Sequence, residues 1–315
     1  MGMIVGEKLS VRKVYGETLA QLGETRNDIV AVDADLSCST MTCTFGKKFG
    51  ERFFNAGIAE QDAICTAAGL ALCGKTAFVS TFAMFATGRA YDQIRNTVAY
   101  SNLNVKIVAT HAGVTVGEDG ASHQMLEDIG LMRAIPNMVI LVPSDGVETK
   151  AMVKFAADYK GPVYIRLSRT SLVNIHNEDE YKFEYGKAQV VEEGEDITLI
   201  TNGETLIEAI NARKLLLEKG INAEVINLHT VKPFDVDTVV KSAKKTGKVI
   251  TIENHSIYNG IGSAVCEALS ENYPVKVTRL GLKEFGQSGE QRELMHYYRL
   301  TADELAEDIE KICKG

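Results

Sequence analysis

The chain has 315 residues, 45% hydrophobic and 24% charged, a composition typical of a globular protein rather than a disordered one. Its 34 basic and 42 acidic residues give a formal net charge of −8. This balance excludes a general electrostatic attraction for nucleic acid or anionic lipid, although a local Arg and His cluster can still hold a small anion. The length predicts roughly two domains.

We expect a cytoplasmic protein. The longest strongly apolar stretches, 63–74 and 76–88, are separated by Lys75, and each is shorter than the roughly 20 residues that cross a membrane. The N-terminus has no apolar segment followed by a small-residue cleavage site. The six cysteines fit a reducing compartment and match no CxxC zinc pattern.

Hydrophobic periodicity predicts alternating strands and helices in the first half of the chain. The predicted strands are 28–33, 76–80, 104–110, 137–142 and 162–167, and the predicted helices are 60–73, 91–100 and 146–158. Continuous apolar strands joined by helices indicate a parallel sheet covered on both faces.

A polar, acidic segment from about 171 to 186 has no sustained period and is interpreted as a linker. The alternation then restarts, which indicates a second, smaller α/β domain. Its predicted strands are 196–201, 222–228, 248–253 and 274–280, and its predicted helices are 205–219, one from 236, one near 262–269, and 302–313.

Residues 69–76, GLALCGKT, match the phosphate-loop pattern GxxxxGK[ST]. That pattern binds phosphate only as a loop between a preceding strand and a following helix. Here the predicted helix comes first and the strand second, so we interpret the match as a helix-to-strand turn.

Glu60 begins an apolar helix, in the sequence FFNAGIAEQD. One interpretation is a carboxylate that stabilises the helix dipole. The other is a partly buried acid whose pKa is raised by desolvation, so that it exchanges a proton near neutral pH. Periodicity does not separate the two.

The loop after strand 104–110, HAGVTVGEDGASHQ, contains His111, His123, two acids and three glycines. Ligands of parallel sheets bind at the carboxyl ends of strands, where this loop begins. Glycines allow close backbone approach, and His and Asp supply proton transfer and hydrogen bonds. The pattern favours a ligand site over a glycine-rich turn with capping acids.

Several of these segments resemble the C-terminal half of transketolase. They are VRKVYGETL near the start, VDADLSCST, GIAEQD, STFAMFATGRAYDQIR, ATHAGVTVGEDGASHQMLEDIGLMRAIPNM, YIRLSR, INLHTVKPFD and NGIG. The resemblance covers essentially the whole chain. It implies a pyrimidine-binding domain at 1–172, a linker at 173–187 and a transketolase C-terminal domain at 188–315, each with a mainly parallel sheet flanked by helices.

The resemblance also implies thiamine diphosphate chemistry, in which a two-carbon ketol unit moves from a ketose to an aldose. Glu60 matches the glutamate that bonds the aminopyrimidine ring. The resemblance implies further cofactor contacts from Phe82, Phe85, Asp35 and Ile58. It implies substrate contacts from Arg12, Ser39, His111, Asp119, His123 and Arg169, with His111 and His123 assisting proton transfer and Arg12, Ser39 and Arg169 clamping a phosphate. Surface salt bridging is the other interpretation of the arginines.

One departure concerns the diphosphate. A complete transketolase is about twice as long and holds a magnesium ion through a Gly-Asp-Gly motif and a later Asn, and this sequence contains no Gly-Asp-Gly. The resemblance therefore implies the second subunit of a split transketolase, whose partner supplies Mg²⁺ and the diphosphate site, in a two-plus-two assembly acting on sugar phosphates. The alternatives are the β subunit of a 2-oxo acid dehydrogenase E1 component and a non-catalytic supporting subunit.

Overall fold

The structure is a computed structural model that describes residues 6–314. The first part of the chain forms eight strands and six α-helices. They are β1 (Lys8–Ser10), α1 (Val11–Thr25), β2 (Ile29–Asp33), α2 (Ser37–Thr40), α3 (Cys43–Lys48), β3 (Phe53–Asn55), α4 (Glu60–Leu72), β4 (Thr76–Phe82), β5 (Val105–Thr110), α5 (Asp128–Arg133), β6 (Val139–Leu141), α6 (Gly146–Asp158), β7 (Val163–Arg166) and β8 (Ser171–Val173).

The second part forms six strands and five helices. They are β9 (Gln189–Glu192), β10 (Ile197–Thr201), α7 (Thr205–Glu218), β11 (Ala223–Asn227), β12 (Thr230–Lys232), α8 (Val236–Thr246), β13 (Val249–Ser256), α9 (Ile261–Asn272), β14 (Val277–Leu282), α10 (Gln291–Tyr297) and α11 (Ala302–Lys314).

The predicted α/β architecture is confirmed. The first sheet has the order β12-β6-β7-β5-β4-β2-β3, and every neighbouring pair is parallel except β6 with β12. All residues of β2, β4, β5 and β7 are buried, as expected for parallel strands with helices on both faces. The second sheet has the order β14-β13-β10-β11-β9, with only β9 antiparallel.

The two parts are joined more closely than the sequence suggested. Strand β12 comes from the second part but pairs with β6 at the edge of the first sheet. Strand β8 lies at the start of the segment interpreted as a linker, and it pairs with β1. Its Leu172 is 5% exposed and packs in the first core, and Asn174, Ile175 and His176, which follow in the same segment, are also buried.

The helix predicted over 146–158 is confirmed as α6, which begins after Asp145. The Asp145 side chain accepts a hydrogen bond from Glu148 N at 2.8 Å, a favourable N-cap. The phosphate-loop match is confirmed as a helix-to-strand turn, because α4 ends at Leu72 and β4 begins at Thr76. No helix within residues 6–314 combines the length and apolar character that a bilayer crossing requires.

The helix predicted over 91–100 has π-helical geometry over Gln93–Ala99, and a second π-helical segment covers Met84–Arg89. The Met84–Arg89 segment has wide backbone turns, in which Ala90 N donates a hydrogen bond to Phe85 O, five residues earlier, at 3.3 Å. Periodicity calculated for an ordinary helix does not reveal such turns, which are frequent at functional sites.

Candidate active site

The candidate residues gather at the carboxyl edge of the first sheet. Phe82 is the last residue of β4, His111 directly follows β5, and Asp35 follows β2. Because these strands are parallel neighbours, their ends lie side by side and bring together residues that are distant in sequence.

Glu60 is the first residue of α4, and its side chain is only 3% exposed. Nη1 of Arg89 lies 2.9 Å from both carboxylate oxygens. The Arg89 side chain is 49% exposed, and its guanidinium lies 4.5 Å from the centre of the Phe85 ring. This cation, together with the helix N-terminus, compensates for the cost of burying the carboxylate.

The two predicted aromatic residues lie side by side. The rings of Phe82 and Phe85 are stacked with centres 5.9 Å apart and planes 12° apart. Phe82 also stacks on His111 at 3.8 Å, and His123 meets the Phe85 ring edge-on at 5.3 Å. The structure thus places both histidines against the aromatic pair, with His111 on Phe82 and His123 beside both rings.

His111 is held as a neutral imidazole. It is 4% exposed, has a left-handed backbone conformation with φ 60°, and shares a hydrogen bond of 2.8 Å with the Thr110 hydroxyl. Burial, aided by the positive charges of Arg12 and Arg169, lowers the pKa of His111 to about 3. A neutral imidazole offers one donor and one acceptor to a bound hydroxyl or carbonyl.

The three residues of the expected phosphate clamp are also brought together. Arg12 donates to the Ser39 carbonyl at 2.5 Å and to the Arg169 carbonyl at 3.2 Å. Burial and the neighbouring Arg169 lower the pKa of Arg12. Arg169 donates to Val116 O and, at 3.0 Å, to the Glu118 carboxylate, whose side chain is 68% exposed. Arg169 thus also forms the surface salt bridge that was the other interpretation of the arginines.

The remaining predicted residues differ in their placement. Asp35 is exposed and has a left-handed backbone conformation with φ 61°. Its backbone N–H donates to Asn55 Oδ1, its carboxylate accepts from Asn55 Nδ2, and Asn55 Oδ1 also accepts from Gly57 N. Ile58 is 80% exposed. Asp119 is exposed, and within residues 6–314 no hydrogen bond links its carboxylate to either histidine. Nor does this part of the chain place three His, Cys, Asp or Glu side chains to hold a metal ion.

Sequence reasoning did not single out Arg89. It lies within the segment STFAMFATGRAYDQIR, four residues after Phe85, and a cation at that spacing near two aromatic residues was the available signal. Its pairing with Glu60, 29 residues earlier in the chain, depends on the π-helical segment that ends at Arg89.

Comparison with known proteins identifies the family. Residues 7–174 match the family described as "Transketolase, pyrimidine binding domain", and residues 186–305 match "Transketolase, C-terminal domain". The chain belongs to the transketolase family.

Two relatives match over nearly their full lengths. A Methanocaldococcus jannaschii protein that carries the provisional name transketolase C-terminal section is 51% identical over 312 residues, 98% of each chain. An apulose-4-phosphate transketolase subunit of Phocaeicola vulgatus is 39% identical over 307 residues, 97% of this chain and 96% of the relative.

A solved structure described as "Split gene transketolase, inactive beta4 tetramer" superimposes with a TM-score of 0.90. It is 45% identical, and the match covers 97% of this chain and 99% of that chain. The resemblance to the C-terminal subunit of a split transketolase, predicted from the motifs, is therefore confirmed.

Proposed function

We propose that this chain is the C-terminal subunit of a thiamine diphosphate-dependent transketolase, which moves a two-carbon ketol unit from a ketose phosphate to an aldose phosphate. It would act with an N-terminal-section subunit that supplies the diphosphate site and Mg²⁺. The observation that carries the proposal is one continuous series of contacts, from Glu60 through Arg89, Phe85 and Phe82 to His111.

These residues fit the pyrimidine end of the cofactor. A flat aromatic heterocycle with polar edges calls for ring surfaces beside a carboxyl group, and the stacked Phe82 and Phe85 rings lie next to Glu60 and its partner Arg89. When bound, thiamine diphosphate supplies the stabilised carbanion equivalent that ketol transfer requires. The residues of this chain hold and orient the reactants.

Arg89 sets a condition for binding. Both Glu60 oxygens face one guanidinium nitrogen, so a ligand that requires a hydrogen bond to this carboxylate must share or replace Arg89. Arg89 is half-exposed and lies in a π-helical turn. It can therefore turn toward solvent, which would leave the Glu60 carboxyl group available to bond the pyrimidine ring of the cofactor.

The two histidines suit the substrate. His111 is neutral, and with His123 it lies against the aromatic pair, where a sugar hydroxyl or carbonyl can bond an imidazole nitrogen. Arg12 and Arg169 form a cationic cluster on the same side of the site, and their repulsion favours an anion between them. Sugar phosphates are the substrate class that combines both features.

Apolar side chains near α4 support an assembled enzyme. Ile58 is 80%, Leu72 73% and Tyr100 87% exposed; Ile58 and Leu72 flank or end α4, and Tyr100 follows the π-helical segment packed beside it. Large exposed apolar side chains are typical of interaction surfaces. Since Ile58 lies two residues before Glu60, Leu72 ends the helix that Glu60 begins, and Tyr100 follows the segment packed beside that helix, we assign the surface to the N-terminal-section subunit, in a two-plus-two assembly.

The test is to isolate the tagged chain from its native extract, sequence the proteins bound to it, and assay the reconstituted pair. The assay contains thiamine diphosphate, Mg²⁺, a ketose phosphate and an aldose phosphate. We expect a partner with Gly-Asp-Gly and a downstream Asn, and ketol transfer only when both chains are present.

The variant that tests the proposed contact surface is Ile58→Asp, which changes an exposed side chain without creating a core cavity. We expect it to weaken partner binding while the chain alone keeps its melting temperature. Reconstituted pairs that decarboxylate a 2-oxo acid but transfer no ketol group would overturn the proposal, as would full ketol transfer by the chain alone.

A further inference from the structure

The loop with both histidines, residues 111–124, is here called the histidine loop. Its two ends are fixed within the first domain. Ala112 N donates to Leu167 O at 3.3 Å, and Gly113 N donates to Met125 O at 2.9 Å. These bonds fix where the loop enters and leaves the sheet, and they leave its interior to be held by other groups.

Part of the interior of the histidine loop is held by the C-terminal domain. Asn254, near the end of β13, accepts a hydrogen bond from Val114 N at 3.0 Å through Oδ1, and its Nδ2 donates to the Glu204 carboxylate. Glu204 also accepts from the Thr115 hydroxyl at 3.0 Å. Asn254 and Glu204 are 3% and 7% exposed. The Asn254 side chain thus accepts a hydrogen bond from the histidine loop through Oδ1 and donates one within its own domain through Nδ2.

Two further features fix Asn254 in place. Arg166, which is 7% exposed, donates to the Asn254 carbonyl at 3.0 Å. On the loop side, Gly113 has φ 79°, and a Cβ at that position would lie 2.4 Å from Asn254 Nδ2. The loop therefore approaches this side chain so closely that any larger residue at 113 would have to displace it.

A second contact lies near the other histidine. Gln124 follows His123 and is buried, and its Nε2 lies 2.8 Å from the Gln287 carbonyl of the C-terminal domain. The same nitrogen is 3.1 Å from Val114 O and 3.3 Å from Gly117 O. The loop is thus tied to the second domain at both of its histidine ends.

We propose that Asn254 is a positioning residue for His111, through which the C-terminal domain holds the histidine loop in its reactive geometry. The inference rests on the proposed ketol transfer. His111 is three residues from the Val114 N–H that Asn254 fixes, and its ring must stay against Phe82 while it meets the substrate. A small displacement of a reacting group is enough to slow catalysis greatly.

The test is a double-mutant cycle in the assembled enzyme, with Asn254→Ala and His111→Ala made separately and together. We expect Asn254→Ala to lower kcat about 10- to 100-fold per assembled enzyme, with the KM for thiamine diphosphate unchanged. In the His111→Ala background the same change should cost little, because its effect passes through His111. Full, additive losses would overturn the proposal.

The matched control is Asn227→Ala. Asn227 is also buried in the second domain and also bonds the first, with its Nδ2 donating to Glu148 Oε1 at 2.9 Å. Within residues 6–314, none of its side-chain hydrogen bonds reaches the histidine loop. We expect its loss to lower the melting temperature and to leave kcat per assembled enzyme unchanged. An equal kcat loss in both variants would show a general effect of domain pairing and overturn the proposal.

Amide hydrogen exchange supplies a readout that does not require catalysis. Asn254→Ala should speed exchange at residues 113–116, and Asn227→Ala should not. If the wild-type pair transfers no ketol group, the proposed function fails, while this measurement still decides whether Asn254 holds the loop. Unchanged exchange in folded Asn254→Ala would overturn the proposal.

If Asn254→Ala does not fold, the pair Asn254→Asp with Glu204→Gln replaces it. This pair exchanges donor and acceptor but keeps a bond to Val114 N, so loop protection and kcat should remain near wild type. Asn254→Asp alone sets two carboxylates side by side and should reduce both. Wild-type behaviour of the single variant would overturn the proposal.

Discussion

Two buried carboxylates of the first domain, Glu60 and Asp145, differ in the groups that bond them. Asp145 accepts from the backbone N–H groups of Glu148, Ile175 and His176, and from His176 Nδ1 at 2.8 Å. Within residues 6–314, the Glu60 carboxylate has one hydrogen-bonding residue, Arg89, which is half-exposed.

The comparison shows that a carboxylate can be buried without having its hydrogen bonds made by groups fixed in place. Both acids are almost fully buried, but all the bonds to Asp145 come from groups fixed by the backbone or by the core. The partner of Glu60 is a long side chain that can turn toward solvent. A buried acid with a replaceable partner is prepared to bind something else, whereas a fully bonded one holds the fold together.

The largest effect is expected at Glu60. Glu60→Gln keeps the side-chain volume and removes the proton exchange, so ketol transfer by the assembled pair should fall about 10²- to 10⁴-fold. The control is Asp62→Asn, an exposed acid in the same first helical turn, which should keep its activity. Equal losses in both would indicate that Glu60 acts only on the helix dipole.

The opposite result is expected at Asp145. Asp145→Ala leaves His176 without its buried partner, which should lower the free energy of unfolding by about 3–5 kcal/mol. Denaturant unfolding measures this, and activity per folded, assembled enzyme should be retained. The control is Asp158→Ala. The Asp158 side chain is 82% exposed and pairs with Arg26, so its removal should lower the free energy of unfolding by less than about 1 kcal/mol. A catalytic defect in stable Asp145→Ala would break the comparison.

The sequence predicted the architecture because hydrophobic patterning is local, whereas Phe82 and Phe85 were singled out only through the resemblance to transketolase. Strands were recognised by their apolar runs, and the order of helix and strand was enough to reject the phosphate-loop match at 69–76. Helix α1 was missed although its buried Val11, Tyr15 and Leu19 recur at the four-residue spacing of an ordinary helix. The turns at Met84–Arg89 were not foreseen because π-helical geometry departs from that spacing.

What escaped prediction is pairing between distant residues. Glu60 with Arg89 and Asn254 with the histidine loop arise from tertiary folding. Local sequence carries no signal for which side chain faces a buried carboxylate. The same limit applies to β12, whose three residues cross from the second domain to the edge of the first sheet.

A pH measurement can sharpen the comparison at His176. Burial opposes its protonation, but the hydrogen bond to Asp145 and the charges of Glu148 and Asp145 outweigh burial and raise the pKa of His176 to about 9. Because the folded pKa lies above the unfolded value of about 6.5, the stabilisation is complete below pH 6.5 and disappears as the pH rises through 9. The expected loss is about 3 kcal/mol.

The measurement is the free energy of unfolding from pH 6 to 10 for the wild type and for His176→Gln. Other groups titrate in this range, so the difference between the two curves isolates the histidine. We expect that difference to shrink as the pH rises. A constant difference would mean that Asp145 does not hold His176 as a cation. The Asp145 carboxylate would then lack the charged partner that the comparison with Glu60 assigns to it.

The smallest effect is expected at Arg169, whose partner Glu118 is exposed and therefore as replaceable as Arg89 is for Glu60. Arg169→Ala should raise the KM for phosphorylated sugars roughly 10- to 150-fold, because charge-assisted hydrogen bonds contribute about 1.5–3 kcal/mol. Glu118→Gln releases Arg169 from its exposed counter-ion, so its KM should stay equal or fall. An unchanged KM in Arg169→Ala would remove this residue from the phosphate clamp. A raised KM in Glu118→Gln would mean that the ion pair holds the arginine in position rather than competing with the substrate.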